Sequence, residues 1–297
     1  MYFPLSDVTI SPLLLAGVGF LVGLLGGFFG VGGGFLAGPM MLLSGVPGHF
    51  VVGTDLAHMT GKSIVAARRH SALGHVDFKL GGLMILGTAA GIETGAQVIE
   101  YLEGLAPGVL DTVLSWIYLT LLLGISIMVF MEGFRATRVK VSESLGARET
   151  LAVRTLSRRV QSIHAPPTIR LPTSGIESIS LWAILGLGFA TGLLAGMLGV
   201  GGGFIRMPAL IYFLGVPTHV AVGTDLFEIV FSAGYGTLTH ALKGNVDILM
   251  ALIMHTGAAI GAQLGALGTR YVSGPRLRIA FAFLPLVGAV LLVIDMI

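Results

Sequence analysis

Gly30-Val31-Gly32-Gly33-Gly34-Phe35 reappears letter for letter as Gly199-Val200-Gly201-Gly202-Gly203-Phe204, and each copy ends one long apolar run and starts a shorter one. The identity extends outward from these turns. Upstream, Gly17, Gly19, Phe20, Gly23, Leu24, Leu25 and Gly27 match Gly186, Gly188, Phe189, Gly192, Leu193, Leu194 and Gly196 at an offset of 169. Downstream the offset becomes 170, and Val46-Pro47, His49, Val52-Gly53-Thr54-Asp55-Leu56, His70, Gly74 and Val76-Asp77 match Val216-Pro217, His219, Val222-Gly223-Thr224-Asp225-Leu226, His240, Gly244 and Val246-Asp247. A unit of about half the chain is duplicated, which makes the repeat the first fact any fold must satisfy.

The composition states where such a unit can live. With 54% hydrophobic and 11% charged residues among 297, the chain has less than half the charge of a soluble domain, for which about 25% is usual. It belongs in a bilayer. There are no cysteines, so disulfides and thiolate metal sites are excluded. No Lys or Arg precedes the first apolar run, so that run reads as a retained membrane helix and not as a cleaved signal. Nucleic acid is excluded as a partner because the bases are concentrated in one loop.

Runs of about 20 apolar residues, the length that spans a bilayer, occupy 10–30, 50–72, 79–102, 109–132, 178–198, 219–241, 247–268 and 276–297. Two shorter runs, 35–45 and 204–214, follow the glycine turns. An 11-residue helix reaches only about 17 Å, so these are predicted half-helices. The expected fold is therefore all-α: a polytopic membrane protein of two homologous repeats, 1–132 and 178–297, each with four or five transmembrane segments. Residues 133–177 join them and carry eight of the 17 Lys and Arg residues, which places this linker in the cytoplasm. The stretch 143–161, with Arg148, Arg154, Arg158 and Arg159, is expected to be a solvated loop or else a surface helix near lipid headgroups.

The turn charges bear on orientation. Arg68, Arg69 and Lys79 flank one turn of the first half, whereas its second-half counterpart has Lys243 alone and Arg270, Arg276 and Arg278 lie one turn later. Opposite bias in similar sequences favours inverted repeats of five crossings each, with Lys243 outside and most other bases in the cytoplasm. Four crossings each, with parallel repeats, is the alternative. Gly87, Gly91 and Gly95, and likewise Gly257, Gly261 and Gly265, place a flat small face on one helix of each half, suited to close backbone packing.

A run of glycines within the apolar region leaves backbone groups unsatisfied unless it lies in protein or against a wet cavity. The amides at Gly32, Gly33, Gly34 and Phe35, and at Gly201, Gly202, Gly203 and Phe204, would turn the positive end of a short helix toward that cavity and favour an anion. Glycine turns at matching positions of two repeats, each followed by a short segment, fit a transporter site. A nucleotide-cradling loop is disfavoured because the Lys-Ser/Thr ending is missing.

Ionisable groups within the spans are costly and mark function or pairing. Asp55, His58 and Lys62 share one helical face, and their equivalents are Asp225, Glu228 and Ser232. These five ionisable residues are the candidate proton-coupling set. Arg206, whose equivalent is Ala37, is the candidate fixed positive partner, either for a bound anion or for a carboxylate; an internal salt bridge with Asp55 or Asp225 is the competing structural role. Thr54 and Thr224 adjoin the aspartates and join the substrate-binding set. Glu93 and His255 are further buried candidates, while His49, His70, His219 and His240 fall near span ends and read as interfacial. No metal spacing and no nucleophile–base constellation can be assembled, so neither an enzyme nor a cofactor is expected.

The two glycine turns, each followed by a proline (Pro39, Pro208), then Gly-Val-Pro, Gly-Thr-Asp-Leu and Gly-x-Val-Asp, resemble the TauE/SafE family of membrane permeases, the sulfite exporters. The resemblance covers 15–100 and 183–268 and leaves the linker out. It implies transport of small organosulfur or sulfur oxyanions such as sulfite, sulfoacetate or related sulfonates, coupled to the proton gradient, across a bacterial inner membrane. This chain departs from the family pattern at Asp55 and Asp225, where Ser or Asn is more common. Expected partners are the small anion and membrane lipid, and a homodimer is compatible with the pattern. An accessory subunit scaffolding another membrane complex through the basic loop is the alternative function.

Overall fold

The computed structural model describes residues 1–31, 34–103, 116–117, 119–131, 153–163, 165–198 and 202–296. Its apolar runs are helices. In the first half these are α1 (Pro12–Phe29), α2 (Gly34–Leu43), α3 (Gly48–Ala72), α4 (Phe78–Glu103) and α5 (Leu119–Met131). Then come α6 (Val153–Gln161), α7 (Leu181–Leu198), α8 (Gly203–Ala209), α9 (Thr218–Leu242), α10 (Ile248–Gly268) and α11 (Gly274–Met296). Pro12 begins α1, where its missing N–H costs nothing. Gly30 ends it in the left-handed region, φ 79°, with its N–H donating to Gly26 O at 2.9 Å. The short helices stand where the sequence predicts them, and α8 runs on as a π turn, Leu210–Leu214, just past Pro208, which can donate no backbone hydrogen bond. Leu86, Leu238, Leu252 and Ile260 point outward from their helices, as lipid-facing side chains do.

Glycine decides which helices touch. A side-chain carbon on Gly19, Gly23 or Gly27 would lie 1.9, 2.3 or 2.3 Å from the carbonyl oxygens of Met254, Ala258 and Ala262. Contacts rise together in number, so α1 and α10 run parallel with their backbones touching. The equivalent pair behaves alike: Gly188, Gly192 and Gly196 meet the carbonyls of Met84, Thr88 and Ile92 at 2.6, 2.4 and 2.5 Å. The small-residue faces predicted at Gly87, Gly91 and Gly95 and at Gly257, Gly261 and Gly265 form the other side of these same two contacts. In contrast, α3 and α9 are antiparallel, since Gly53 near the start of α3 abuts Asn245 past the end of α9, and Gly223 abuts His75 in the reciprocal place.

The seam between halves is a set of matched hydrogen bonds. Asp77 and Asp247 cap α4 and α10, accepting from Leu80 N and Met250 N at 3.0 Å each. Their own amides donate across the seam, Asp77 to Thr224 Oγ1 and Asp247 to Thr54 Oγ1, both at 2.9 Å. The second carboxylate oxygen of each is held by a serine from a β-hairpin of the other half: Ser174 to Asp77 at 2.6 Å and Ser6 to Asp247 at 2.9 Å.

Those hairpins, β1–β2 (Tyr2–Phe3, Val8–Thr9) and β3–β4 (Thr168–Leu171, Ile176–Ser180), correct the all-helical expectation. They are repeat equivalents at an offset of 168, pairing Pro4 with Pro172, Ser6 with Ser174 and Asp7 with Gly175, the last two both at positive φ. The described part of the linker and the hairpin that continues it are also less open than a solvated loop. Leu171, Ile176 and Ile179 are buried, and α6, which includes Arg154, Arg158 and Arg159, docks on the π turn through Gln161 Nε2 donating to Leu214 O at 2.7 Å. Arg148 lies outside the described residues.

A candidate transport site at the seam

The ionisable set predicted from sequence is brought inside the protein. Asp55, His58 and Lys62 on α3 are buried, as are Asp225 and Glu228 on α9 and Arg206 on α8. Helical spacing puts Asp55, His58 and Lys62 on one face of α3, where Lys62 lies beside Gly26 of α1, and Asp225 and Glu228 on one face of α9, where they meet Arg206 of α8, itself held by Thr191 of α7.

The two halves solve the charge problem differently. In the second, Arg206 Nη1 donates to Asp225 Oδ1 at 3.1 Å and contacts the Glu228 carboxylate, while Nε donates to Thr191 Oγ1 at 3.3 Å. Thr191 was not singled out by sequence; its equivalent is Val22, so where the second half has an Arg–Thr pair the first has Ala37 and Val22, both buried hydrophobics. Of the two partners foreseen for Arg206, an anion or a carboxylate, the geometry displays the carboxylate, twice. Two acids face one guanidinium, so with both ionised the cluster would carry one excess negative charge, which a single bound proton removes.

In the first half, His58 Nδ1 lies 3.0 Å from Asp55 Oδ1. Lys62 supplies the cation from α3 itself, and its Nζ has no hydrogen-bond partner among the described residues. His58 Nε2, Arg206 Nη2 and Asp225 Oδ2 share that condition. Unsatisfied polar atoms at this burial are uncommon and mark places where a ligand, water or proton enters.

The remaining predicted residues separate. Gly32, Gly33 and Gly201 lie outside the described residues. Gly34 and Phe35 open α2. Gly202 adopts φ 75° before α8, a conformation suited to glycine, and the space where its side chain would be is taken by Arg206 Nη2 at 2.9 Å. Gly203 is buried at the start of α8, and Phe204 packs into the apolar core. Thr54 and Thr224 face the seam as the acceptors described above.

Three secondary expectations are corrected. Glu93 is exposed, accepting from Tyr235 Oη at 2.9 Å. His255 is half-buried, its ring against Gly61. His70 is fully buried, its Nε2–H donating to Gly27 O at 2.9 Å, and its Nδ1 lies 3.4 Å from His75 Nδ1, whose ring stacks on His219. Burial pushes the His75 imidazole below its usual pKa, with His219 adding to the effect. The side chain of His49 is outside the description. Among the described residues no cluster of metal-ligating side chains occurs.

The chain is similar to known proteins. "Probable membrane transporter protein YunE" of Bacillus subtilis is 26% identical over 266 residues, covering 86% of this chain and 88% of that one. A "probable membrane transporter protein" of Xylella fastidiosa is 26% identical over 274 residues, 91% and 90% of the two chains. "Sulfite exporter TauE/SafE family protein 3" of Arabidopsis thaliana is 36% identical over 78 residues, 26% of this chain and 16% of that one. No solved structure matches. The profile of the family described as "Sulfite exporter TauE/SafE" matches residues 15–292, and with nearly the whole chain inside that match, the protein belongs to the TauE/SafE family of integral-membrane transporters and is not an enzyme.

Proposed function

We propose that this transporter moves small sulfur oxyanions or organosulfonates, of the sulfite and sulfoacetate kind, by secondary transport coupled to protons. The observation that carries the reading is the buried charge set on repeat-equivalent faces of α3 and α9, with acids in excess around Arg206. A proton offsets that excess, and exchanging it as the site changes sides couples the gradient to movement of the anion. A scaffold subunit has no use for buried ionisable groups that cost free energy, so the accessory role is not favoured. The substrate class rests on the family description and on the printed name of the plant relative.

The halves are taken as inverted repeats, 1–132 and 178–297 about the linker 133–177. Antiparallel α3 and α9 support this, because a two-fold axis along the membrane normal would make equivalent helices parallel. With the basic linker cytoplasmic, α1 then begins outside, α7 begins inside, and α2 and α8 return partway before α3 and α9 cross.

Uptake into proteoliposomes of sulfite, thiosulfate, sulfoacetate and taurine, against a neutral control, is the test. An inward proton gradient should accelerate uptake of at least one anion. Asp225→Asn should retain exchange at equal pH but lose that acceleration. Uptake of none of the anions, or uptake indifferent to the gradient, refutes the proposal.

A further inference from the structure

We infer that Lys62 and His58, and not Arg206, form the seat of the transported anion, and that the anion and one proton enter this seat together. The inference deepens the transport reading and rests on it. Arg206 already faces two carboxylates and a threonine hydroxyl, so a further anion there would meet negative charge. Lys62 is the opposite case: its ammonium is buried and has no hydrogen-bond partner among the described residues. A buried ammonium with no acceptor to receive its hydrogens is costly even when a carboxylate nearby balances its charge, and an arriving anion supplies that acceptor.

The position fits an anion. Lys62 Nζ is 3.5 Å from the point where a side chain on Gly26 would sit, and that point is 2.8 Å from Val31 O. The ammonium therefore lies beside the turn that closes α1 and leads, three residues after Val31, into the start of α2 at Gly34. Beside Gly26 and Val31, therefore, stands a buried cation that no described residue hydrogen-bonds. On α3, His58 is one turn from Lys62 and on the same face.

Hydrogen bonding says where the proton goes. The Asp55 carboxylate can only accept, so His58 Nδ1 carries the hydrogen of that 3.0 Å bond. A neutral ring then has its lone pair on Nε2, which is buried and without a partner among the described residues. With His58 neutral, Asp55 and Lys62 sum to zero charge. A proton on Nε2 raises the sum to +1 and turns that nitrogen into a donor, and a monoanion restores neutrality. The other titratable group near His58 among the described residues is His255 of α10, whose ring lies against Gly61 and whose Nδ1 has no described partner. Each of proton and anion favours the other, and linkage makes the effect reciprocal.

Purified protein titrated calorimetrically with sulfite and with methanesulfonate, each in two buffers of different ionisation enthalpy, decides the matter. The wild type should take up protons on binding, after allowance for the anion's own titration. Lys62→Gln should weaken binding by about tenfold to a hundredfold, the loss of a charge-assisted hydrogen bond, and Lys62→Arg should recover most of it. His58→Asn should bind more weakly and without proton uptake. Should Lys62→Gln fail to fold, the proton count of the wild type and the affinity of Lys62→Arg still decide. Binding without proton uptake overturns the proposal, as does unaltered affinity in Lys62→Gln or a loss confined to Arg206→Gln. A wild type that neither binds nor transports any of these anions refutes the transport reading itself, whereas transport with Lys62→Gln unaffected refutes this seat alone.

Discussion

Replacing Arg206 by glutamine should cost far more stability than replacing Glu228. The guanidinium is fully buried, 3.1 Å from Asp225 Oδ1, in contact with Glu228 and 3.3 Å from Thr191 Oγ1. Its removal strands two carboxylates, and breaking a buried pair by deleting one partner costs about 3–5 kcal/mol. At roughly 2–4 °C per kcal/mol for a chain of this size, the melting temperature should fall by about 6–20 °C. Glu228→Gln instead leaves a one-to-one Arg206–Asp225 pair and an amide oxygen still able to accept, so its cost should stay below about 1.5 kcal/mol. The triple change Arg206→Gln, Asp225→Asn, Glu228→Gln neutralises the whole cluster and should regain much of the loss, by a non-additivity of about 0.5–3 kcal/mol. Thermal unfolding in mild detergent measures stability, and sulfite exchange in proteoliposomes reports whether a folded variant still works. Arg206→Gln melting within about 2 °C of the wild type, or Glu228→Gln costing as much as Arg206→Gln, would refute the charge count.

Three further outcomes follow from the packing and the proposed topology. Gly192→Ala should destabilise strongly, because its methyl would lie 2.4 Å from Thr88 O, whereas Gly17→Ala, with nothing within 4 Å, should be neutral or slightly stabilising in the same melts. Single cysteines at Lys243 and Arg276, both exposed on a chain with no native cysteine, should label from opposite sides of the membrane, Lys243→Cys from outside; labelling of both from one side would support parallel repeats. Because the folded His75 pKa is lowered, the unfolded chain binds more protons below its ordinary value near 6.5, so its contribution to stability is present above that pH and is lost as pH falls toward the folded value. His75→Asn, which installs the residue of the equivalent position Asn245, should flatten the decline in melting temperature between pH 7 and pH 5, and an unchanged slope would count against His75 as its source.

Much of this protein was legible in one dimension because its strongest physical constraints are periodic or duplicated. Low charge and apolar runs require helices in lipid, and glycine turns at matching positions, 30–34 and 199–203, interrupt them. Spacing alone put Asp55, His58 and Lys62 on one face, and Asp225 and Glu228 on another, since helical periodicity is local. The β-hairpins were not legible by those signals: they are short and lie outside the apolar pattern. Their one trace in the sequence is the match of Pro4 and Ser6 to Pro172 and Ser174, too short to define a strand.

Partnership was a different matter. Nothing local distinguishes Thr54 and Thr224 as seam acceptors from Thr191 as a ligand of Arg206, because those roles depend on a residue more than a hundred positions away or on the return of a short helix. The same holds for the cations. Sequence determined that Lys62 and Arg206 lie within apolar spans, where either could be paired or poised for an anion. Only the tertiary structure decided that α8 carries Arg206 onto two carboxylates of α9 while Lys62 hydrogen-bonds to no described residue, because electrostatic partnership is set by distance in space, and distance in space by which glycine faces let helices touch.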